Sequence, residues 1–401
     1  MIEQSLLYLR RIARKLWFRV VLISILSLLA LLLAPLAKPL LPDSLSEDFG
    51  REAVLPVLTI LASGMLAVTT FSLNVMVSAY RTAASMATPR VYRLLLEDTV
   101  TQRVLATFVG GFIFSLSGVI LFRARYYTPE GALVVFAITI LVVFLIIGAI
   151  LRWIDHLSGL GSMDHTLRLI ESRTRDSMRA RLNTPCLGGQ CSGGGGIPGD
   201  AVEIPAARSG FVRFAGLAQL DELADEAGTE ITLTRAPGEY ILRGQPVAWA
   251  TAGDNDFCKA ASKAIDIGDV RSFDQDPSFG ITLLAETAQR ALSPGINDPG
   301  TAVEVMGRLG RLLWENMPAD ETSSTREPQF PNVKVPPVTA RHLLRCAYPP
   351  IARCGSDSPS VMGWVQQSLQ ELEGHPNPEM AKAAAEMREN IGQEHPGGSA
   401  G

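Results

Sequence analysis

The chain carries no charge in three long stretches. There is no Asp, Glu, Lys or Arg from Val54 to Ala79, from Val104 to Phe122, or from Gly131 to Leu151. At ~1.5 Å per helical residue each is long enough to cross a hydrocarbon core of ~30 Å. The missing mid-depth charge argues against a proton-coupled carrier, which needs an intramembrane carboxylate or lysine. Cysteine is also scarce. Cys186, Cys191, Cys258, Cys346 and Cys354 are five in number, with no C-x-x-C pair. That is a poor disulfide framework and a poor zinc site, so free thiols are expected. The five histidines (156, 165, 342, 375 and 395) read as isolated from cysteine and from one another. Neither a nucleophile–base pair nor a metal-ligand set is evident, so the expectation is no enzyme, no metal and no cofactor. The net charge of −4 lacks the basic excess of a nucleic-acid partner.

What is present is apolar and unevenly spread. The 401 residues are 47% hydrophobic and 19% charged, with a mean hydropathy of +0.20. The apolar residues crowd the first 151 positions. Arg10, Arg11, Arg14, Lys15 and Arg19 precede Val20–Leu33 in the manner of a secretory signal. No small-x-small cleavage site follows, so Trp17–Ala37 reads as an uncleaved span, ended by prolines at 35, 39 and 42. Four spans result. Arginine is biased to the N-terminal arm, to the Tyr80–Arg103 connection and to the segment after the fourth span, which places both termini in the cytosol. Asp155 and His156 fall at the cytosolic end of the fourth span and read as a solvated helix end, with a gate or relay as the other reading.

The second span has one polar face. Thr59, Ser63, Ala67, Thr70, Asn74 and Ser78 follow at steps of three and four, which aligns them on a helix. Such a stripe either packs a neighbouring helix closely, for instance the third span through Gly111, Ser115 and Gly118, or lines a water-filled path. Asn74 is the one carboxamide in any span. Arg81 and Arg90 follow the stripe and would favour anions at a cytosolic mouth.

Beyond the spans the texture is that of a soluble protein. Ile154–Leu182 reads as a helix extending the fourth span, and the glycine-rich residues 183–199 as a flexible linker. Short strand-like runs follow at Ala201–Pro205, Gly210–Phe214, Glu230–Thr234, Tyr240–Leu242 and Val247–Thr251, with a helix at Gln219–Glu226. The run from Ala236 to Ala248 resembles the hairpin of biotinyl and lipoyl domains but lacks their carrier lysine. It supports a small β-barrel-like module and no swinging-arm cofactor. Helices are expected at Asp256–Ile265, Pro277–Leu292, Pro299–Asn316, Ala340–Cys346 and Pro359–Glu373, with 318–337 loose and the tail from 395 disordered. Asp298 before Pro299 is a ready helix cap. The competing reading is a polar site of Asp274, Asp276, Arg290, Asn297 and Asp298.

Several runs resemble one family. They are Thr70-Phe-Ser-Leu-Asn-Val-Met-Val, Thr101-Gln-Arg-Val-Leu-Ala-Thr-Phe-Val-Gly, Asp274-Gln-Asp-Pro-Ser-Phe-Gly-Ile and Arg290-Ala-Leu-Ser-Pro-Gly-Ile-Asn-Asp-Pro-Gly-Thr-Ala. Together they resemble the bacterial integral membrane proteins grouped as domain of unknown function 2254. The resemblance implies four spans, a cytosolic domain and no established activity.

The expected fold is therefore an α-helical membrane domain of four transmembrane helices plus a cytosolic α+β domain. Its divisions are a membrane domain at 1–153, a helical extension at 154–182, a linker at 183–199, a small β-rich module at 200–255, a helical module at 256–394 and a tail at 395–401. Two functions follow. One is a homo-oligomeric pore in the bacterial inner membrane, lined by Thr59, Ser63, Thr70, Asn74 and Ser78. The other is a membrane-anchored sensor or scaffold whose cytosolic domain binds a ligand or protein. The bilayer is the common partner, and nucleic acid is not expected.

Overall fold

The computed structural model describes residues 16–34, 51–192, 199, 201–319 and 327–395. The prolines at 35, 39 and 42, most of the glycine run and the tail from 396 lie outside the described residues. The chain divides into two compact units. Among the described residues, one takes 16–34, 51–85 and Tyr92–His165; the other takes Met86–Val91 and the described residues from Thr166 onward.

The first unit is helical. Its elements are α1 (Leu16–Leu33), α2 (Arg51–Met86), α3 (Val91–Leu96), α4 (Thr99–Arg123) and α5 (Pro129–Gly159). Among the described residues three helices are long and apolar enough to cross a membrane: Val54–Met86, Thr99–Arg123 and Gly131–Gly159. Helix α1 is a shorter apolar helix of 18 residues. Glycines mark the closest approaches of α4. A Cβ on Gly110 would collide with Ile23 of α1, and one on Gly118 would meet Leu58 of α2 at 2.9 Å. Leu31, Leu58, Phe114, Phe122 and Val135 form one buried cluster among these helices. At one end, Tyr126 and Tyr127 donate their hydroxyls to the carbonyls of Leu32 and Leu31.

The expected continuous extension of the fourth span does not form. Helix α5 stops at Gly159 and α6 begins anew at Met163, running to Asn183. Gly161 sits between them at φ +87, with the Ala79 carbonyl 3.3 Å from where a Cβ would stand. A side chain there would be strained and crowded, so the turn falls at the glycine.

The second unit is mixed. Its strands are β1 (Gly189–Cys191), β2 (Val202–Pro205), β3 (Gly210–Ala215), β4 (Ile231–Leu233), β5 (Tyr240–Ile241), β6 (Pro246–Ala250), β7 (Ile265–Gly268) and β8 (Phe330–Val335). A five-stranded sheet runs β1-β8-β4-β6-β2, and a three-stranded sheet runs β5-β3-β7. Strands β1, β8 and β4 are parallel neighbours, while β4, β6 and β2 are antiparallel. Helices α7 (Leu217–Ala227) and α8 (Asn255–Lys263) pack with them. Five further helices follow: α9 (Pro277–Ala291), α10 (Pro299–Asn316), α11 (Ala340–Cys354), α12 (Pro359–Glu373) and α13 (Pro378–Glu394). Gly280 of α9 is bare because Thr174 of α6 occupies the space a Cβ would need.

Three expectations are corrected here. Residues 184–191 are not linker: Pro185–Gly188 form a tight turn, and Gly189–Cys191 pair in parallel with β8. Cys186 and Cys191 form a disulfide, so only Cys258, Cys346 and Cys354 remain free thiols. The turn carries three successive left-handed residues, Cys186, Leu187 and Gly188, which brings the two sulfurs back toward each other. Finally, 318–337 is not uniformly loose. Strand β8 buries Val333 and Val335 inside the sheet, and residues 320–326 lie outside the described set.

Candidate functional site

The polar face of α2 points away from the body of its own unit. Thr59, Ser63, Ala67, Thr70, Asn74 and Ser78 are all exposed, whereas Val54, Leu58, Met65, Thr69, Ser72, Met76 and Tyr80 are buried. The stripe therefore does not hold the third span. Gly111 instead faces Ile146 and Met65, and Gly118 faces Leu58 and Leu31. The reason is size: Leu58 and Met65 fill the hollows that the glycines leave, and the opposite face of α2 is turned out. Three of the hydroxyls on that face satisfy themselves, and that of Ser78 has no partner among the described residues. Thr59 donates to the Leu55 carbonyl, Ser63 to Thr59 and Thr70 to Leu66, each one turn back. The Asn74 carboxamide cannot do so, and it has no hydrogen-bond partner among the described residues.

The two arginines after the stripe differ. Arg81 is exposed without a partner among the described residues. Arg90 is paired with Glu286 of α9, which also accepts from the Thr88 hydroxyl at 3.1 Å. Its charge is thus answered within the second unit.

At one end of the first unit a polar node was not legible in sequence. Asp98 caps α4, accepting from the backbone N–H of Val100 at 3.1 Å and of Thr101 at 3.2 Å. Its Oδ2 also accepts from the Thr101 hydroxyl and from Nε2 of His156, the latter at 2.6 Å. The Tyr80 hydroxyl donates to Thr101 Oγ1 at 3.1 Å. One carboxylate so ties α2, α4 and α5. Burial alone would push the Asp98 carboxyl up, but the bonds from His156, Thr101 and Val100 outweigh it and hold the group below the usual carboxylate range. His156 is therefore a half-buried partner of Asp98 rather than a solvated helix end. Its ring stacks edge-on against His165 at 5.6 Å. Burial, with the neighbouring His156, pushes His165 down.

The polar site expected in the second unit is not assembled. Asp274 and Asp276 lie before α9, and Arg290, Asn297 and Asp298 lie at or beyond its far end. The 15-residue rod between them is ~20 Å long. Asp276 is buried and caps α9, gripping Arg271 through two hydrogen bonds of 2.7 and 2.9 Å. Asp274 is half-buried and engaged. Asp298 caps α10, accepting from the Thr301 N–H at 3.0 Å and the Thr301 hydroxyl at 2.6 Å. Those bonds hold its carboxyl below the ordinary range. Asn297 takes the left-handed conformation that lets the chain turn into the cap. Arg290 is exposed.

One pairing follows from helical spacing alone. His342 and Cys346 are four apart on α11, one helical turn, and their Nε2 and Sγ stand 3.8 Å apart. They are not isolated from each other. Burial raises the Cys346 thiol above its ordinary value, which works against a reactive thiolate there. Among the described residues no group of three His, Cys, Asp or Glu side chains is placed to hold a metal ion.

The family model described as "Predicted membrane protein (DUF2254)" matches residues 13–371. The chain belongs to that family. It is similar to uncharacterized proteins of Mycobacterium bovis and of Mycobacterium tuberculosis, each 26% identical over 337 residues. That alignment covers 78% of this chain and 62% of each relative, so the chain spans less than two thirds of the curated relatives it matches. No solved structure matches.

Proposed function

We propose that this family member is a homo-oligomeric pore of the bacterial inner membrane, each subunit turning the outer face of α2 toward a shared axis. The observation that carries this reading is Asn74. Its carboxamide is exposed and unpartnered in a helix long enough to span hydrocarbon, and an unsatisfied amide in lipid costs several kcal/mol, roughly. A second copy or a water column would satisfy it. Helix α1 acts as the fourth span in this reading: 18 residues make ~27 Å, close to the ~30 Å required. Both termini are cytosolic. The second unit is the regulatory domain, and its two sheets share one apolar core that includes Ile204, Val212, Val247 and Ile267, an arrangement suited to a barrel-like module. The reading assigns no catalytic step.

Two experiments test it. A cysteine placed at Ser46 is labelled from outside the cell and one at Ser85 is spared; the reverse pattern removes the topology. Purified full-length protein is oligomeric in lipid and conducts in planar bilayers, and Asn74→Leu alters conductance while keeping the assembly. A monomer that is electrically silent removes the pore.

A second reading, the anchored sensor, is supported by a separate feature. A cleft of about 740 Å³ lies along the edge strand β2 and α8, with Glu203 and Asp254 as well as Arg243, Lys259 and Lys263 in its wall. It has the size of a small-molecule site. Thermal shifts of the full-length protein across a panel of small polar molecules of both charge signs would favour this reading if the pore assay is silent.

A further inference from the structure

The polar node at one end of the first unit also fixes where four arginines stand. Tyr80 meets Thr101 at 3.1 Å and packs edge-on against Tyr92 at 6.5 Å, and Thr101 lies 3.2 Å from His156. These residues therefore share one level of the helix bundle. Arg81 follows Tyr80, Arg93 follows Tyr92, Arg103 is two residues from Thr101, and Arg152 is one turn before His156. All four lie within ~6 Å of that level along the helix axes. Each comes from a different helix, so together they form a collar rather than a pocket. All four are exposed, and none has a hydrogen-bond or ion-pair partner among the described residues. Arg19 of α1 reaches the same level, contacting the Thr99 carbonyl at 3.4 Å. The exposed carboxylates nearby are Glu97 and Asp155, and Asp98 is taken by His156. The opposite end carries two partnerless arginines, Arg123 and Arg125.

The surroundings of the collar are apolar and outward-facing. Leu96, Leu151 and Ile154 are exposed beside Arg93 and Arg152. A guanidinium rooted one turn inside such a surface extends its stem along the apolar wall and delivers its charge at the depth of lipid phosphates. A planar donor fork suits a phosphodiester, which it can grip with two parallel bonds. We propose that Arg81, Arg93, Arg103 and Arg152 form a collar that retains acidic phospholipids around the bundle. The occupant is a lipid rather than a free phosphate because the arginines stand against hydrocarbon-facing side chains, which a soluble anion would leave uncovered. This inference is independent of whether the protein conducts.

The test uses full-length protein reconstituted in vesicles of equal parts phosphatidylglycerol and phosphatidylcholine, re-extracted, and its retained lipid weighed by native mass spectrometry. Wild type retains phosphatidylglycerol over phosphatidylcholine. The preference falls by roughly fivefold for each arginine changed to Gln, and the fourfold Arg→Lys variant, which keeps the charge but not the two-bond grip, falls between wild type and the Gln variants. If the fourfold Arg→Gln variant does not fold, Arg81→Gln and Arg152→Gln singly carry the test. Equal retention of the two lipids by wild type, or an undiminished preference in the Gln variants, overturns the proposal.

Discussion

The carboxylate of Asp98 accepts a hydrogen bond from Nε2 of His156 at 2.6 Å, across 58 residues of chain. The same carboxylate caps α4, so one side chain serves both a local and a long-range role. Asp98→Ala removes the cap and leaves the half-buried His156 without its carboxylate acceptor. The cap alone is worth ~0.5–2 kcal/mol. Asp98→Asn keeps much of the cap but loses the charge. A thermal scan of detergent-solubilised protein should rank wild type above Asn and Asn above Ala.

The neighbouring His165 gives a pH signature. Its folded-state proton affinity is lowered below the ordinary value of 6.5 by burial and by His156. The folded protein thus binds this proton less readily than the unfolded chain. Its contribution to stability is full above pH 6.5 and is lost as pH falls below that value. His165→Phe should flatten the decline in melting temperature on acidification across that window. An unchanged slope contradicts the assignment.

Glu171 of α6 is buried and accepts from Arg308 at 2.8 Å, Arg311 at 2.9 Å and Arg175 at 3.0 Å. Glu171→Ala removes the acceptor that Arg308, Arg311 and Arg175 share and leaves Arg308 paired with Glu304, so it should cost ~1–3 kcal/mol. The double change Glu171→Met with Arg308→Met should cost less than Glu171→Ala, because Arg308 is then no longer a buried charge short of an acceptor. Denaturant titration of the full chain separates the two outcomes.

The thiol inventory is a direct chemical check on the fold around β1. Denatured, unreduced protein should show three reactive thiols, from Cys258, Cys346 and Cys354, and all five cysteines of the sequence after reduction. The bridge closes a short loop and contributes ~2 kcal/mol by loop entropy. Reduction should therefore speed amide exchange at Gly189–Cys191 more than elsewhere in the sheet.

Local features were legible in sequence, and distant ones were not. Helices Pro299–Asn316 and Pro359–Glu373 begin where a polar residue precedes proline, a signal confined to two positions. The stripe on α2 was legible as a face, but not which way it turns. That depends on how Leu58 and Met65 fit glycines of another helix. Strand β7 shares only Ile265 with the expected helix Asp256–Ile265 and is not visible in the sequence, since Ile265-Asp-Ile-Gly is too short to show its period. Strand β8 was hidden among prolines, and its place in the sheet depends on partners some hundred residues away. Helix α13 was not singled out at all, although Asn377-Pro378 carries the same cap signal as the others. The Asp98–His156 tie had no sequence signal. His342 and Cys346, one turn apart, did.

Asp298 shows how a candidate site resolves into structure. Its oxygens are occupied by Thr301, the work of a helix cap. Asp298→Asn and Asp298→Ser should be tolerated, and Asp298→Ala should lower stability by ~0.5–2 kcal/mol. A loss of function in Asp298→Asn with an unchanged melting temperature would restore it as a binding residue.

The most direct test of the oligomeric account asks what faces the outer surface of α2. In a background with Cys258, Cys346 and Cys354 changed to Ser, one cysteine is placed at Asn74 and, separately, one at Met65, which is buried in its own subunit. Membranes are treated with a mild oxidant and run on a denaturing gel. Asn74→Cys should give a cross-linked dimer and Met65→Cys should not. A monomer band alone from Asn74→Cys, under conditions that cross-link a known membrane dimer, would contradict the claim that this face meets a second copy across a shared axis.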